Sequence, residues 1–151
     1  MFAAIRLKGN ASLKKGLIDT MKMLRIEYPN NCVLLPETDS YKGMLTKCKD
    51  ICTWGEVDKK TLVKLLEKRL RTEKNGRVDE KLLKELGFDG FEKLADSLIA
   101  DKTDLRNLKK IKVVFRLTPP SKGFKSLMEG YPKGDLGYRG KEINDLLERM
   151  M

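Results

Sequence analysis

Histidine is absent from the 151 residues of the chain. Because histidine is the commonest general base near neutral pH and the usual partner of a nucleophilic serine or cysteine, its absence excludes the most frequent catalytic arrangements. The chain also lacks the phosphate loop G-x-x-x-x-G-K-[ST], the nucleophile motif G-x-S-x-G and the dinucleotide motif G-x-G-x-x-G. Most carboxylates lie between lysines on predicted helix faces, as they do on solvated surfaces. We therefore predict that the protein is not an enzyme.

Cysteine is scarce, with Cys32, Cys48 and Cys52 as the full set. This odd number, and the position of Cys32 within an apolar run, favour reduced and partly buried thiols over a disulfide framework. The spacing Cys48-x-x-x-Cys52 is an alternative half-site for zinc. A tetrahedral zinc site would have to recruit carboxylates here, since the chain has no histidine and one further cysteine. We predict no metal and no other cofactor.

Long apolar runs are absent as well. Nowhere do about eighteen apolar residues follow one another, which is the length that a membrane-spanning helix needs. Residues 1–6 contain no apolar core of the length found in signal peptides. The sequence therefore predicts a soluble intracellular protein with no membrane partner.

Positive charge is abundant, with 32 Lys and Arg against 22 Asp and Glu and a formal net charge of +10. Such an excess favours polyanionic partners. Residues 1–50 carry 9 basic and 5 acidic groups (+4), residues 51–108 carry 13 and 12 (+1), and residues 109–151 carry 10 and 5 (+5). The two ends of the chain, rather than its middle, are therefore expected to face a polyanion.

The first 57 residues alternate between strand and helix patterns. Alternating residues at 2–8 and the apolar run Cys32-Val33-Leu34-Leu35 are typical of strands, and apolar residues at helical spacing follow the candidate N-cap Ser12. Thr38 is a candidate cap for a second helix, which contains Gly43 one turn inside. The predicted elements are a strand at 2–8, a helix at 12–24, a strand at 32–35, a helix at 38–50 and a strand at 51–57.

The start of the second helix has two interpretations. Its free amides and dipole, with Lys42 and Lys47 further along, suit a phosphate, whereas Asp39 beside them adds a negative charge. An ordinary capped helix is the alternative. Gly43 costs a helix about 1 kcal/mol relative to alanine, so it indicates either close approach by a backbone or ligand or simple tolerance.

Residues 58–108 are predicted to form a helical insertion with its own packing. Leucines recur at helical spacing in three segments, Asn75-Gly76 separates the first two, and Gly87 suits a helix stop. Because its charges cancel, we expect this block not to be the main anion-binding face.

Residues 109–151 are predicted to contain a strand at 111–117, a glycine-rich segment at 121–140 and a helix at 142–151. The segment 121–140 holds five of the twelve glycines together with lysine, arginine and tyrosine. So little apolar surface cannot stabilise a fold alone, so the segment is expected to be mobile or to become ordered on a partner. Glycine, basic residues and tyrosine together suit contact with RNA.

Four separated motifs, in this order and spacing, resemble the L-thirty family of large-ribosomal-subunit proteins in its longer archaeal and eukaryotic form, which is related to eukaryotic L-seven. They are FAAIR at 2–6, PETDSYKGML at 36–45, TWGE at 53–56 and LGYRGKEINDL at 136–146. The resemblance spans essentially the whole chain. It implies an α+β fold with a β-α-β-α-β core related to the ferredoxin-like arrangement, a small mainly antiparallel sheet with helices on one side, a helical insertion and a C-terminal return.

The resemblance also implies a non-catalytic role in the ribosome, where the protein would bind ribosomal RNA of the large subunit and meet neighbouring ribosomal proteins. 5S RNA is a candidate partner that the sequence does not decide. Basic side chains would neutralise phosphates, and aromatic rings would stack on bases. The candidate RNA-binding residues are Arg6, Lys8, Lys14, Lys15, Tyr41, Lys42, Lys47, Trp54, Lys122, Lys125, Tyr138 and Arg139.

Two alternatives to this ribosomal role stay open. A free RNA-binding or regulatory module could dock onto a protein through the helical insertion. An enzyme acting on RNA is the other alternative, although no residue pattern calls for it. Each candidate contact residue also fits an ordinary solvated side chain, and Trp54 fits a core position.

Overall fold

The structure is a computed structural model that describes residues 1–11, 13–108 and 110–151. Ser12, the predicted cap of the first helix, lies outside the described residues. The strands are β1 (Phe2–Arg6), β2 (Asn31–Leu35), β3 (Cys52–Glu56), β4 (Val114–Arg116) and β5 (Gly137–Tyr138). The helices are α1 (Lys15–Met23), α2 (Asp39–Lys47), α3 (Lys59–Arg69), α4 (Glu80–Glu85), α5 (Phe91–Ile99) and α6 (Ile143–Met150), with 3₁₀ turns at Leu105–Asn107 and Gly140–Glu142.

The strands form one sheet in the order β4-β2-β1-β3-β5. Neighbouring strands are antiparallel except for the parallel pair β3 and β5. The α+β fold and the mainly antiparallel sheet predicted from the sequence are therefore confirmed. All five residues of the central strand β1 are buried, so both faces of the sheet are covered.

Helices α1 and α2 cover one face of the sheet. Because side chains alternate along a strand, Phe2 and Ala4 of β1 point to this face, where Met21 of α1 and Leu45 of α2 pack. Thr38 caps α2 as predicted, since its hydroxyl accepts from the amide of Tyr41 at 3.4 Å. The helices that the resemblance placed on one side of the sheet are these two.

The opposite face is covered by the insertion and by α6. The prediction that the insertion has its own packing is wrong, because Leu62 and Leu65 of α3 and Leu94 of α5 are buried in one cluster with Ile5 of β1 and Ile143 of α6. Without these helices, that face of the sheet would expose its apolar side chains to water. The insertion is therefore a layer of the core, and the division of the chain into three segments stays a prediction.

The predicted strand at 111–117 contributes three residues, Val114–Arg116, to the sheet. The preceding residues pair elsewhere, since the amide of Lys112 donates to Arg71 O at 2.8 Å and the amide of Glu73 donates to Lys110 O at 3.0 Å. Helix α2 also ends earlier than predicted, at Lys47 rather than at residue 50. Both differences arise because backbone hydrogen bonds, rather than side-chain pattern, decide where an element ends.

The three cysteines are free and buried, as predicted. Burial raises the pKa of Cys32 to about 12 and also raises the pKa of Cys48 and of Cys52. The Cys52 thiol lies 3.1 Å from Cys48 O and donates to it. In the part of the chain that the structure describes, no helix combines the length and the apolar character needed to cross a membrane.

Candidate nucleic-acid interface

Three predicted contact residues converge on the layer formed by α1 and α2. Lys14 and Lys15 stand at the N-terminal end of α1, and Lys47 occupies the last turn of α2. The Lys47 Nζ lies 4.0 Å from the point that a Cβ on Gly16 would occupy, so the end of α2 meets the start of α1. All three lysines are exposed. We call Lys14, Lys15 and Lys47 the helix-end cluster.

The positive charges of the helix-end cluster have no carboxylate close to them in the described structure. Among the described residues, none of its three ammonium groups has a carboxylate within 4.0 Å. The first turn of α1 contains no acidic residue, and its free amides add partial positive charge. The cluster is therefore a surface at which an anion would be stabilised.

The start of α2 is a different environment. The exposed carboxylate of Asp39 lies 3.7 Å from Lys42 Nζ and would repel a phosphate bound at this helix end. Tyr41 is half-buried, because Arg106 Nη1 donates to its hydroxyl at 2.6 Å and the guanidinium lies 5.3 Å from its ring centroid. The geometry favours an ordinary capped helix here.

Arg6 requires a correction, because its side chain lies inside the protein with 1 % of its surface exposed. Its guanidinium donates to backbone carbonyls of Lys8 at 2.7 Å and of Ile26 at 3.4 Å, and also to Glu27 O and to Asn10 Oδ1. Desolvation by this burial lowers the pKa of Arg6. Arg6 is therefore committed to the turns that follow β1 and α1, and it is not positioned to meet a phosphate.

Replacing Arg6 with methionine is expected to lower the free energy of unfolding by about 2–3 kcal/mol, because buried carbonyl groups would lose a charged donor. The affinity of the folded variant for RNA should equal that of the wild type. Urea unfolding followed by the fluorescence of Trp54 and a filter-binding assay measure the two quantities. The control is Lys60→Met, which removes an exposed charge from the insertion and should change neither quantity. Unchanged stability together with weakened RNA binding would return Arg6 to the contact residues.

Arg139 requires the same correction, since it is 7 % exposed. Its Nη2 donates to both Asp135 O and Asp135 Oδ1 at 2.8 Å, and its Nε donates to Thr53 Oγ1 at 3.0 Å. The guanidinium also lies 5.3 Å from the ring centroid of Tyr131. Arg139 thus ties the glycine-rich segment to β3 instead of reaching outward.

Trp54 and Tyr138 lie next to each other, with ring centroids 6.3 Å apart and an interplanar angle of 47°. Trp54 is 7 % exposed and belongs to the core under α1 and α2, so its predicted stacking role is corrected to a packing role. Tyr138 is 53 % exposed. Its hydroxyl donates to Glu56 Oε1 at 2.5 Å, and this bond raises the pKa of Tyr138. Of the two rings, Tyr138 is the one that a base can reach.

Lys122 and Lys125 project from an anchored turn at the start of the glycine-rich segment. Arg149 Nε donates to Ser121 O at 3.1 Å, and a second bond joins its Nη2 to Gly123 O. The amide of Lys125 donates to Asp135 Oδ2 at 2.5 Å. Both lysine side chains are exposed. These hydrogen bonds place the start of the segment against the core, and its ordering on a partner stays a prediction.

The chain was compared with protein families and with proteins of known identity. A family model described as "Ribosomal protein L30p/L7e" matches residues 2–51, which contain β1, α1, β2 and α2. The large ribosomal subunit protein uL30 of Nanoarchaeum equitans is 43% identical over 152 residues, which cover 99% of this chain and 97% of the relative. The chain belongs to the L30p/L7e family of ribosomal proteins. The resemblance drawn from four separated motifs is thereby confirmed.

Two further members of the L30p/L7e family match over the same extent. The uL30 protein of Archaeoglobus fulgidus is 40% identical over 151 residues, and that of Methanococcus maripaludis is 44% identical over 153 residues. Each alignment covers 99% of this chain and 99% of the relative. The insertion and the C-terminal return are therefore shared with these family members.

Two residues important to the surface of this L30p/L7e chain were missed by sequence reasoning. Arg106, which orients Tyr41, lies in the charge-balanced insertion and has no local signal. Asp135 accepts hydrogen bonds from both Arg139 and the Lys125 amide. Its spacing from Arg139 was a signal visible in the sequence. Asp135 precedes Arg139 by four residues in a stretch with few apolar residues, and the two side chains form a buried ion pair there.

Proposed function

We propose that this protein is a structural constituent of the large ribosomal subunit in the cytoplasmic ribosome, where it binds ribosomal RNA and contacts neighbouring ribosomal proteins. The relatives that align over nearly their whole length are all large ribosomal subunit proteins, which supports the ribosomal part of the proposal. The helix-end cluster supports the RNA part, because it presents three exposed ammonium groups without a carboxylate near them. It is the observation that carries the proposal.

Binding at the helix-end cluster would be driven by phosphate neutralisation. Each ammonium group that meets a phosphate releases condensed counterions, so the affinity falls as the salt concentration rises. Lysine supplies point charge on a flexible stem, which tolerates a range of phosphate positions. Helices α1 and α2 are fixed on the sheet, so the three charges are held together before RNA arrives.

Other accessible candidates would extend this contact. The exposed Lys122 and Lys125 and the half-buried Lys8 would add phosphate contacts, and Tyr138 would stack on an unpaired base. The protein would neutralise phosphate charge and provide a surface of complementary shape, and it would not catalyse a reaction. Its role in the subunit would then be to stabilise one arrangement of RNA segments that repel one another.

The alternative of a regulatory module that docks through the insertion loses support from the packing. The insertion's leucines, among them Leu62, Leu65 and Leu94, are buried against the sheet. Its outer surface carries charges of both signs, and Lys59 and Asp96 form an ion pair at 2.6 Å across α3 and α5. An apolar face for docking is therefore already used within the described residues.

The first test compares two triple variants of equal charge. One replaces Lys14, Lys15 and Lys47 with glutamine, and the control replaces the exposed insertion lysines Lys60, Lys84 and Lys102 in the same way. Filter binding to the large-subunit RNA of Methanococcus maripaludis is measured between about 50 and 200 mM salt. The slope of log K against log[salt] should fall in magnitude by about 2 for the first variant, at about 0.7 per lost contact with unpaired RNA. The control should keep the slope of the wild type.

Two outcomes would contradict the proposal. Equal slopes for the two variants would remove the helix-end cluster from the interface, and absence of wild-type binding would remove RNA as the partner. A separate arm with 5S RNA tests whether that molecule is a partner. Sedimentation of reconstituted large subunits after a salt wash tests assembly, and recovery of the protein only in the free fraction would contradict the ribosomal role.

A further inference from the structure

The sheet has an open edge at β4. The amide of Leu117 donates to Asn30 O at 2.9 Å, which fixes the alternation of hydrogen bonds between β4 and β2. Because successive residues of an edge strand point their backbone groups alternately inward and outward, the N–H and C=O groups of Val114 and Arg116 face away from the sheet. Backbone donors are therefore available along this edge.

A groove runs along the same edge. Two adjoining cavities of about 600 Å³ and 380 Å³ share Lys112, Val114 and Arg116 as lining residues. The basic side chains that line them come from the end of α1, the end of α3 and the segment containing β4. They are Lys22, Arg25, Arg69, Arg71, Lys112 and Arg116. We call this feature the edge groove.

Two carboxylates, Glu27 and Glu73, also line the edge groove. Neither forms an ion pair with its basic residues, since no aspartate or glutamate carboxylate of the described residues lies within 4.0 Å of any of the six cations. Arg69 is held by Met151 O at 2.6 Å and by Thr118 Oγ1 at 3.2 Å, whereas Arg71 and Arg116 make no side-chain hydrogen bond within the described structure. Lys112 Nζ donates to the neutral Asn75 Oδ1, so it too has no aspartate or glutamate partner. Gathering six cations around two carboxylates is unfavourable, and a bound polyanion would relieve that cost.

We propose that the edge groove binds the phosphate backbone of an unpaired RNA segment. The proposal rests on the ribosomal RNA binding proposed above and adds a second contact surface. Arginine forks in the groove would bind phosphate oxygens in pairs, and the outward N–H groups of Val114 and Arg116 would donate to the same oxygens. Tyr28 at the rim of the groove is 69 % exposed and would stack on a base.

Helix α1 joins the edge groove to the helix-end cluster. Lys15 and Lys22 are seven residues apart, so they lie on the same face of the helix and about 10 Å apart along its axis. One lysine belongs to the cluster and the other lines the groove. A single RNA strand could therefore follow α1 from one surface to the other.

An extended peptide is the competing occupant of an open strand edge, because it could add a strand to the sheet. The edge is three residues long and offers few backbone bonds to such a strand. Its lining contains six cations and two carboxylates, so only a strongly acidic peptide would fit. Charge complementarity favours RNA.

The test replaces Arg71, Lys112 and Arg116 with glutamine and uses the Lys60, Lys84 and Lys102 variant as the charge-matched control. With the large-subunit RNA of Methanococcus maripaludis, the magnitude of the salt slope should fall by about 2 for the groove variant and affinity should fall by about 50-fold near 0.15 M salt. Ultraviolet crosslinking of the wild-type complex should link RNA to the peptide that contains Tyr28. A urea unfolding midpoint equal to that of the wild type shows that the groove variant is folded.

Each contrary result has a distinct meaning. If the wild type binds RNA and the helix-end variant is weakened while the groove variant matches the control, the groove proposal alone is overturned. If the wild type does not bind RNA, both proposals fail. If the groove variant binds RNA normally but is lost from salt-washed large subunits, the groove holds a protein strand, and the RNA assignment is overturned.

Discussion

Replacing Asp135 with alanine is expected to lower the free energy of unfolding by about 3–5 kcal/mol, the usual cost of removing one partner from a buried ion pair. The side chains of Asp135 and Arg139 are 6 % and 5 % exposed, and their charged atoms are 2.8 Å apart. Water therefore cannot take over the role of the lost carboxylate. The substitution leaves the Arg139 guanidinium buried without an opposite charge.

The carboxylate of Asp135 also organises the chain on both sides of it. Its Oδ1 accepts from Arg139, and its Oδ2 accepts from the amide of Lys125. Arg139 in turn reaches Thr53 on β3, whose hydroxyl donates to Gly137 O at 2.8 Å. Loss of the carboxylate should therefore detach β5 and release the turn that carries Lys122 and Lys125.

Urea unfolding monitored by the fluorescence of Trp54 measures this effect, because the chain's one tryptophan packs beside Tyr138 of β5. Asp89→Ala is the control, since it removes a carboxylate from an exposed pair with Lys93 and should leave the midpoint unchanged. Asp135→Asn keeps the hydrogen-bonding shape without the charge and should lie between the two. Equal midpoints for the Asp135→Ala and Asp89→Ala variants would contradict the structural role of the buried pair.

Much of the fold could be predicted from local patterns. Apolar periodicity located the strands and helices of the first 57 residues, and Thr38 and Gly87 marked a helix start and a helix end. Gly87 follows α4 with a φ of 87°, a conformation that favours glycine. These features depend on a few neighbouring residues, and such residues are visible in a sequence.

The packing of the insertion could not be predicted in the same way. A leucine stripe on α3 shows that one side of the helix must be buried, but it does not identify what covers it. The structure buries that stripe against the second face of the sheet, together with α6. Helix α6 lies about 80 residues beyond α3 in the sequence, and no local pattern connects the two helices.

The buried arginines explain most of the error in the candidate site. Arg6 was predicted as a phosphate contact at the turn from the first strand to the first helix, and Arg139 was predicted as one within the basic glycine-rich segment. Both are held by carbonyl or carboxylate oxygens from segments that approach only in the folded chain. The edge groove was missed for the same reason, since its cations come from three distant elements and form one surface only after the sheet is assembled.

Replacing Gly55 with alanine is expected to lower the free energy of unfolding by about 3 kcal/mol or more, because the new methyl group has no space. A Cβ at Gly55 would lie 1.9 Å from Gly140 O and 2.9 Å from the carbonyl carbon of Gly140. These atoms belong to the backbone of the turn that precedes α6, so a side-chain rotation cannot relieve the overlap. The substitution should push α6 and its buried Ile143 away from β3.

Gly43→Ala is the matched control, because it adds the same methyl group to a glycine that has different surroundings. A Cβ at Gly43 meets nothing within 4 Å, and Gly43 lies inside α2, so alanine there should raise stability by up to about 1 kcal/mol. Urea midpoints of the two variants should therefore shift in opposite directions. A Gly55→Ala midpoint at or above that of the wild type would show that β3 and the turn before α6 are not in close contact. Weakened RNA binding by a fully stable Gly43→Ala variant would instead show that a ligand approaches α2 at this glycine.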